Sequence, residues 1–195
     1  MSDSPPVGVR RRKTRVDGQR NRDRLIAEAR RAFAEEGDGA VSLERIARAA
    51  EVGIATLYRH FPTREALVEA VYESELHAVT TLDPELLALR PDLGLRAWMN
   101  RYAGFVAAKR GMIDTLRSGW ATGAIATPDT RQKVNAVIQR FLTAGGAREV
   151  LRRDVPADDV TAALLGAFLS TASGSDPGQL ERLLDLLVDG LRPRS

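Results

Sequence analysis

The chain has no cysteine, which excludes disulfides and thiolate metal sites and is compatible with a reducing compartment. Histidine is almost as scarce. His60 and His77 are the two in 195 residues, and neither has a histidine or cysteine partner at ligand spacing. Long apolar runs are missing too: Ala162 to Leu169 is interrupted by Gly166 and ends at Ser170, far short of the roughly 20 residues a membrane-spanning helix needs. The N-terminal arginines have no apolar stretch behind them, which argues against a secretory signal and makes a cytoplasmic protein the default. No G-x-G-x-x-G, no P-loop and no G-x-S-x-G turn around Ser170, Ser173 and Ser175 occurs. The carboxylate pairs Glu35-Glu36 and Asp158-Asp159 read as helix-end charges. These absences point away from an enzyme, with no catalytic residue, no metal and no cofactor expected.

What is present is helical periodicity and unevenly placed charge. At 44% apolar content the chain can form one compact domain, or a small domain followed by a medium one. The net charge of +3 and the sequence pI of 9.7 are only mildly basic. Residues 1–24, however, hold eight basic and three acidic side chains, so the first eighth of the chain is strongly cationic and the remainder slightly acidic.

The most informative stretch is Ser42 to Leu67, SLERIARAAEVGIATLYRHFPTREAL. Leu43, Ile46, Ala47 and Ala50 fall on one helical stripe, with Ser42 placed as N-cap. After Glu51-Val52-Gly53 a second short segment puts Ile54, Leu57 and Phe61 on one face, leaves Thr56, Tyr58, Arg59 and His60 to point away, and stops at Pro62. Two short helices joined by a tight turn make a helix-turn-helix, whose second helix enters the DNA major groove. Upstream, Leu25, Ile26, Ala29 and Phe33 form the stripe of a preceding helix over Asn21 to Glu36 that stops at Gly37-Asp38-Gly39. Downstream, Thr63 caps a fourth helix running towards Leu82. Leu57 and Phe61 are expected to be core, because a two-helix motif has none without them. Residues 1–19, with Pro5-Pro6, Gly8 and Gly18, are expected to form a disordered basic arm. Lying just before the motif, its Arg11 and Arg12 would meet phosphates or the minor groove.

Thr56 to Leu67 resembles the TLYxHFxxKxxL core of the TetR family of bacterial transcriptional regulators almost position for position. Glu51 stands where that family often has glycine, with Gly53 two places on available to relieve the turn, and Arg64 replaces its usual lysine. The resemblance implies an all-α protein with an N-terminal three-helix DNA-binding domain containing the helix-turn-helix and a C-terminal helical ligand-binding and dimerisation domain. It implies that Thr56 and Tyr58 hold the DNA backbone, as should Ser42 and Arg64 at helix N-termini, while His60 can bond phosphate oxygens. Matching positions suggest Ile54, Ala55 and Arg59 as base readers, joined by Glu44 or Arg45. Ile54 and Ala55 suit a thymine methyl, and Arg59 suits a guanine edge.

Asp83-Pro84 and Pro91-Asp92 bracket a connecting segment. The expected division is therefore residues 20–82 for DNA binding, including the connecting fourth helix, and 83–195 for effector binding and dimerisation. Leu95 to Arg110 and Val134 to Leu142 form apolar helices, the latter closed by Gly145-Gly146. Between them Met112 to Ala126 reads as a short helix and a loop containing Gly119 and Gly123. Trp98, Tyr102, Phe105, Trp120, Phe141 and Phe168 are candidates to line an effector cavity, since aromatic walls with a few polar groups build small-molecule sites, although ordinary core is the plainer account. The last two helices combine the small residues Ala162, Ala163, Gly166, Ala167 and Ser170 with leucines on more than one face. They suggest a four-helix homodimer interface, which is where proteins resembling the TetR family dimerise.

The resulting expectation is a homodimeric repressor released from a palindromic operator in double-stranded DNA by a small-molecule effector. Its rivals are a DNA-binding protein with no ligand and a protein–protein interaction module with secondary DNA contact. Effector, operator sequence, regulated genes and the choice between repression and activation lie beyond the sequence.

Overall fold

The structure, a computed structural model, describes residues 7–123, 129–172, 176 and 178–193, with side-chain environments from residue 16 onward. Among the described residues there are ten α-helices and no strand. They are α1 (Val7–Glu36), α2 (Leu43–Ala49), α3 (Ile54–His60), α4 (Arg64–Thr80), α5 (Pro84–Ala88), α6 (Pro91–Arg110), α7 (Ile113–Thr122), α8 (Thr130–Ala147), α9 (Ala157–Ser170) and α10 (Gln179–Gly190). The helix α1 begins at Val7, so the disordered arm expected up to residue 19 is helical from there. Arginine and lysine are good helix formers, and the glycines at positions 8 and 18 lower helix stability without ending it.

The chain divides into two compact units, Met1–Ser74 with Ala108–Thr127, and Glu75–Ala107 with Pro128–Ser195. This division departs from a single boundary near residue 82. Segment 108–127 belongs by contact to the first unit, a long-range relation that periodicity does not carry.

In the first unit α1 packs against α2 and α3, and α2 against α3. The shared core holds Leu25, Ala29, Phe33, Ile46, Leu57 and Phe61, all nearly sealed from solvent. Local chemistry sets the boundaries. Gly37 takes φ 77° and donates its N–H back to the Phe33 carbonyl at 3.0 Å, ending α1. Ser42 Oγ accepts from Arg45 N at 3.2 Å at the start of α2, and Thr63 Oγ1 accepts from Ala66 N at 3.2 Å at the start of α4. Phe61, held extended by the following Pro62, ends α3.

Segment 108–127 joins this unit through Gly111, where a Cβ would come within 2.4 Å of the Phe33 carbonyl oxygen. Asp38 N donates to Gly111 O at 2.7 Å, and the buried Asp38 carboxylate accepts from Thr115 N at 3.1 Å. Thr115 is the third residue of α7, so that helix receives its N-terminal cap from a residue far away in sequence. Gly119 lies inside α7 and is buried, contrary to the expected loop, while Gly123 at φ 73° ends it.

In the second unit α8 packs on α9 and α9 on α10. Gly145-Gly146 does not close α8, which continues to Ala147. These glycines serve close approach: a Cβ on Gly145 would lie 2.5 Å from Leu151 Cδ1, and one on Gly146 2.9 Å from Arg153 Cγ. Buried Asp92 accepts from Arg90 Nε at 2.6 Å and Nη2 at 2.7 Å. That arginine, first among the causes, holds the carboxyl below its ordinary range.

Candidate nucleic-acid interface

The turn between α2 and α3 decides how the second helix is presented. Glu51 occupies the left-handed region at φ 55°, whereas Gly53 has an ordinary φ of −64°. Gly53 therefore does not relieve the turn. The glycine-favouring conformation sits at Glu51 itself, where a side chain is strained. The Val52 amide closes the turn on Ala47 O at 2.9 Å, and Val52 is buried.

With the turn set, α3 divides cleanly. Leu57 is 0% exposed, while Tyr58 is 44% and Ile54 37% exposed. Ala55 and Arg59 are exposed and Thr56 is half-buried. Ile54, Ala55, Thr56, Tyr58 and Arg59 thus lie on one short helix with their apolar counterparts turned inward. From α2, Ser42, Glu44 and Arg45 are exposed. Two of these already have local tasks: Ser42 caps its helix, and Arg45 pairs with Glu36.

His60 and Arg64 are placed differently from the rest. The His60 ring is half-buried and its Nε2 is buried without a hydrogen-bond partner. Burial first, and then the charges of Arg59 and Arg22, hold its pKa below the ordinary 6.5. It therefore offers a phosphate a neutral ring rather than a cation. Arg64 is also half-buried, and its guanidinium donates to the carbonyls of Asp38 and Val41. It clamps the loop before α2 to the start of α4, so its donors are engaged away from a phosphate. Arg22, on α1, places its guanidinium 5.2 Å from the Phe61 ring centroid and braces the end of α3. The sequence reading missed that brace, and α1 register is the signal that carries it, since Arg22 precedes Leu25 and Ile26 by one turn. The side chains of Arg11 and Arg12 lie outside the described residues.

The six aromatic residues proposed for an effector cavity do not form one group. Trp98, Tyr102, Phe105, Phe141 and Phe168 are each at most 4% exposed in the second unit. Trp98 stacks on Tyr102 at 5.3 Å, Tyr102 on Phe105 at 6.0 Å, and Phe168 meets Tyr102 edge-on at 5.5 Å. The Trp98 indole donates to Val79 O at 2.8 Å. These rings fill space against one another, as core side chains do. Trp120 belongs to the first unit, against Tyr72 at 6.0 Å.

On the last two helices, α10 buries Leu184 and Val188 and leaves Leu186 66% exposed; on α9 Leu169 is 70% exposed. Although its leucines lie on more than one face, α10 is covered on one. A surface groove of about 300 Å³ lies between Ala163, Ala167, Ser170, Leu183, Leu186 and Leu187. Among the described residues no group of histidine, aspartate and glutamate is placed to hold a metal ion, and no helix is long and apolar enough to cross a membrane.

Comparison with known proteins agrees with this geometry. Residues 25–71 match the family model for bacterial regulatory proteins of the tetR family, and residues 90–193 that for the C-terminal domain of SbtR-like transcriptional regulators. The crystal structure of the TetR transcriptional regulator SCO0520 from Streptomyces coelicolor is 44% identical, with a TM-score of 0.79 over 89% of this chain and 99% of that one. A TetR transcription regulatory protein from Mycobacterium vanbaalenii is 31% identical, with a TM-score of 0.73 over 92% and 99%. An HTH-type transcriptional regulator of Staphylococcus aureus is 37% identical over 67 residues, and this match spans only 36% of that protein. Because family models account for both the helix-turn-helix and the C-terminal helices, and the agreement with the Streptomyces structure covers nearly its whole length, this chain belongs to the TetR family, whose members are DNA-binding transcriptional regulators and not enzymes.

Proposed function

We propose that the protein is a cytoplasmic homodimeric repressor that binds a palindromic operator through α3 and leaves it when a small-molecule effector binds. The observation that carries the DNA half is the split face of α3, with Leu57 sealed while Ile54 and Tyr58 stand out at 37% and 44% exposure. Ile54, Ala55 and Arg59 read bases, and Thr56, Tyr58 and Ser42 hold phosphates, with Glu44 and Arg45 at the edge of the reading surface. Arg11 and Arg12 add backbone charge. Exposed Leu169 and Leu186 beside the α9–α10 groove support pairing with a second copy, since two-fold packing there would cover them. The tasks divide as DNA binding by residues 20–82 and effector binding with dimerisation by 83–195. An effector acts only through its difference in affinity for the DNA-competent and released states, typically about 1–3 kcal/mol of coupling.

Selection of bound duplexes from a random library, read by sequencing, tests the reading. An enriched palindrome with half-sites about one helical turn apart, or a multiple of it, is expected. Salt-sensitive binding with no enriched sequence would overturn it in favour of nonspecific attachment.

A further inference from the structure

At the junction of α4, the end of α6 and α7 lies a cation that the DNA-binding role does not use. Lys109 is half-buried, and its Nζ stands 5.2 Å from the Trp120 ring centroid and 5.7 Å from that of Tyr72. Among the described residues it has no carboxylate partner. Beside it the Trp120 indole Nε1 is buried and, among the described residues, has no hydrogen-bond partner. The other tryptophan, Trp98, has its indole satisfied by Val79 O. All three residues belong to the first unit.

A cation–π contact would by itself account for where the ammonium sits. It leaves the indole N–H unexplained, because a buried donor without an acceptor costs free energy that native structures seldom leave unrecovered. One acceptor that bonds both groups removes both liabilities. Nζ stands 5.2 Å from the centroid of the ring that carries the N–H, so the two donors are neighbours, and a carboxylate offers an oxygen to each. One positive charge and two donors match a monoanion better than a phosphate dianion. Tyr72 and Trp120 meet edge-on at 6.0 Å and put aromatic surface beside the ammonium, which suits an apolar or aromatic body on the acid. Desolvation also lowers the Lys109 pKa, as expected for an ammonium held without a counter-charge.

We infer that Lys109 and Trp120 form a binding site for the carboxylate of a small organic acid with an apolar or aromatic body. Identifying that acid as the effector rests on the repressor reading above; the site itself does not.

The test is titration of the ¹⁵N-labelled, full-length protein with hexanoate and benzoate, followed by the two tryptophan indole N–H resonances. Trp120→Phe assigns them. The Trp120 resonance is expected to move saturably while that of Trp98, already bonded, stays in place. Hexanamide and benzamide, uncharged and of the same shape, should bind at least about tenfold more weakly, and Lys109→Met, which keeps the apolar stem, should weaken the carboxylates by about as much. Inorganic phosphate should leave the resonance unmoved. A Trp120 resonance indifferent to both acids, or shifted equally by acid and amide, overturns the site whatever Lys109→Met does.

The same acids added to the protein on its selected operator separate the two claims. A resonance that moves while the operator stays bound keeps the site and overturns its identification with the effector. Release of the operator by other compounds, with the resonance unmoved by the acids, keeps the effector reading and overturns the site.

Discussion

The reading helix α3 and the aromatic layer of α6 make opposite use of the same kind of residue. Tyr58 stands 44% exposed with Ile54 beside it, whereas Tyr102 is 4% exposed between Trp98 and Phe105. Both helices carry tyrosine at positions that local sequence alone describes as helical and amphipathic. The difference lies in what stands opposite. Leu57 and Phe61 fill the inward side of α3 and leave its other side to solvent, while α6 also meets Phe168 edge-on through Tyr102. Residue type therefore says what a side chain can do, and the neighbouring helix says whether it is free to do it.

The largest expected effect tests whether the aromatic layer is solid. Trp98→Ala should lower stability by about 3–5 kcal/mol in urea unfolding, the cost of a large side chain lost from a filled core. A much smaller loss would mean that the layer borders an open space, and the contrast with α3 would fail.

Arg64→Ala comes next, and it asks whether a residue read from the sequence as a DNA contact serves the fold instead. Removing a charged donor from two carbonyls should cost about 1.5–3 kcal/mol of stability in the absence of DNA. If stability holds and only operator affinity falls, Arg64 belongs with Tyr58 and Arg59.

Glu51→Gly probes the turn that presents α3. Replacing a side chain at φ 55° removes left-handed strain at some cost in chain entropy, for a net gain of about 0.5–1 kcal/mol in thermal or urea unfolding. The Arg24 contact at 3.6 Å between exposed side chains offers little to lose. A destabilised variant would show that Glu51 contributes through contacts rather than merely tolerating the turn.

The smallest effect concerns acid. Asp158 is exposed and accepts from Arg131 at 2.6 Å and 2.7 Å and from Asn135 at 2.9 Å. Those bonds, Arg131 first, lower its pKa from 3.8 to about 2. A depressed folded value means the contribution is complete above the unfolded value and is lost as pH falls towards about 2. Asp158→Asn should flatten the acid limb of the stability profile across that window and leave neutral-pH operator binding unchanged. An unaltered acid limb would mean the exposed pair contributes nothing measurable.

Much of the first unit was legible in the sequence because its signals are local. Ser42 and Thr63 cap where expected, Gly37 stops α1, Pro62 stops α3, and Leu57 and Phe61 are core. Glu51 stands where the family often has glycine, and the left-handed conformation falls at that position. Legibility failed where a residue acts on something distant in the chain. Asp38 caps α7 and Arg64 reaches back to Val41. Gly145 and Gly146 look like a helix stop and are instead places where Leu151 and Arg153 come close.

Helix periods, caps and proline stops, together with the Thr56 to Leu67 motif, determined from sequence alone that the chain is all-helical and carries a helix-turn-helix. Those features are properties of consecutive residues, and their energetics close within a turn or two of helix. Tertiary structure alone decided that segment 108–127 joins the first unit, that five aromatic rings fill a core, and that Lys109 and the Trp120 indole lie together without an acceptor. Burial and desolvation depend on what other segments bring to the same place, and no local pattern records that.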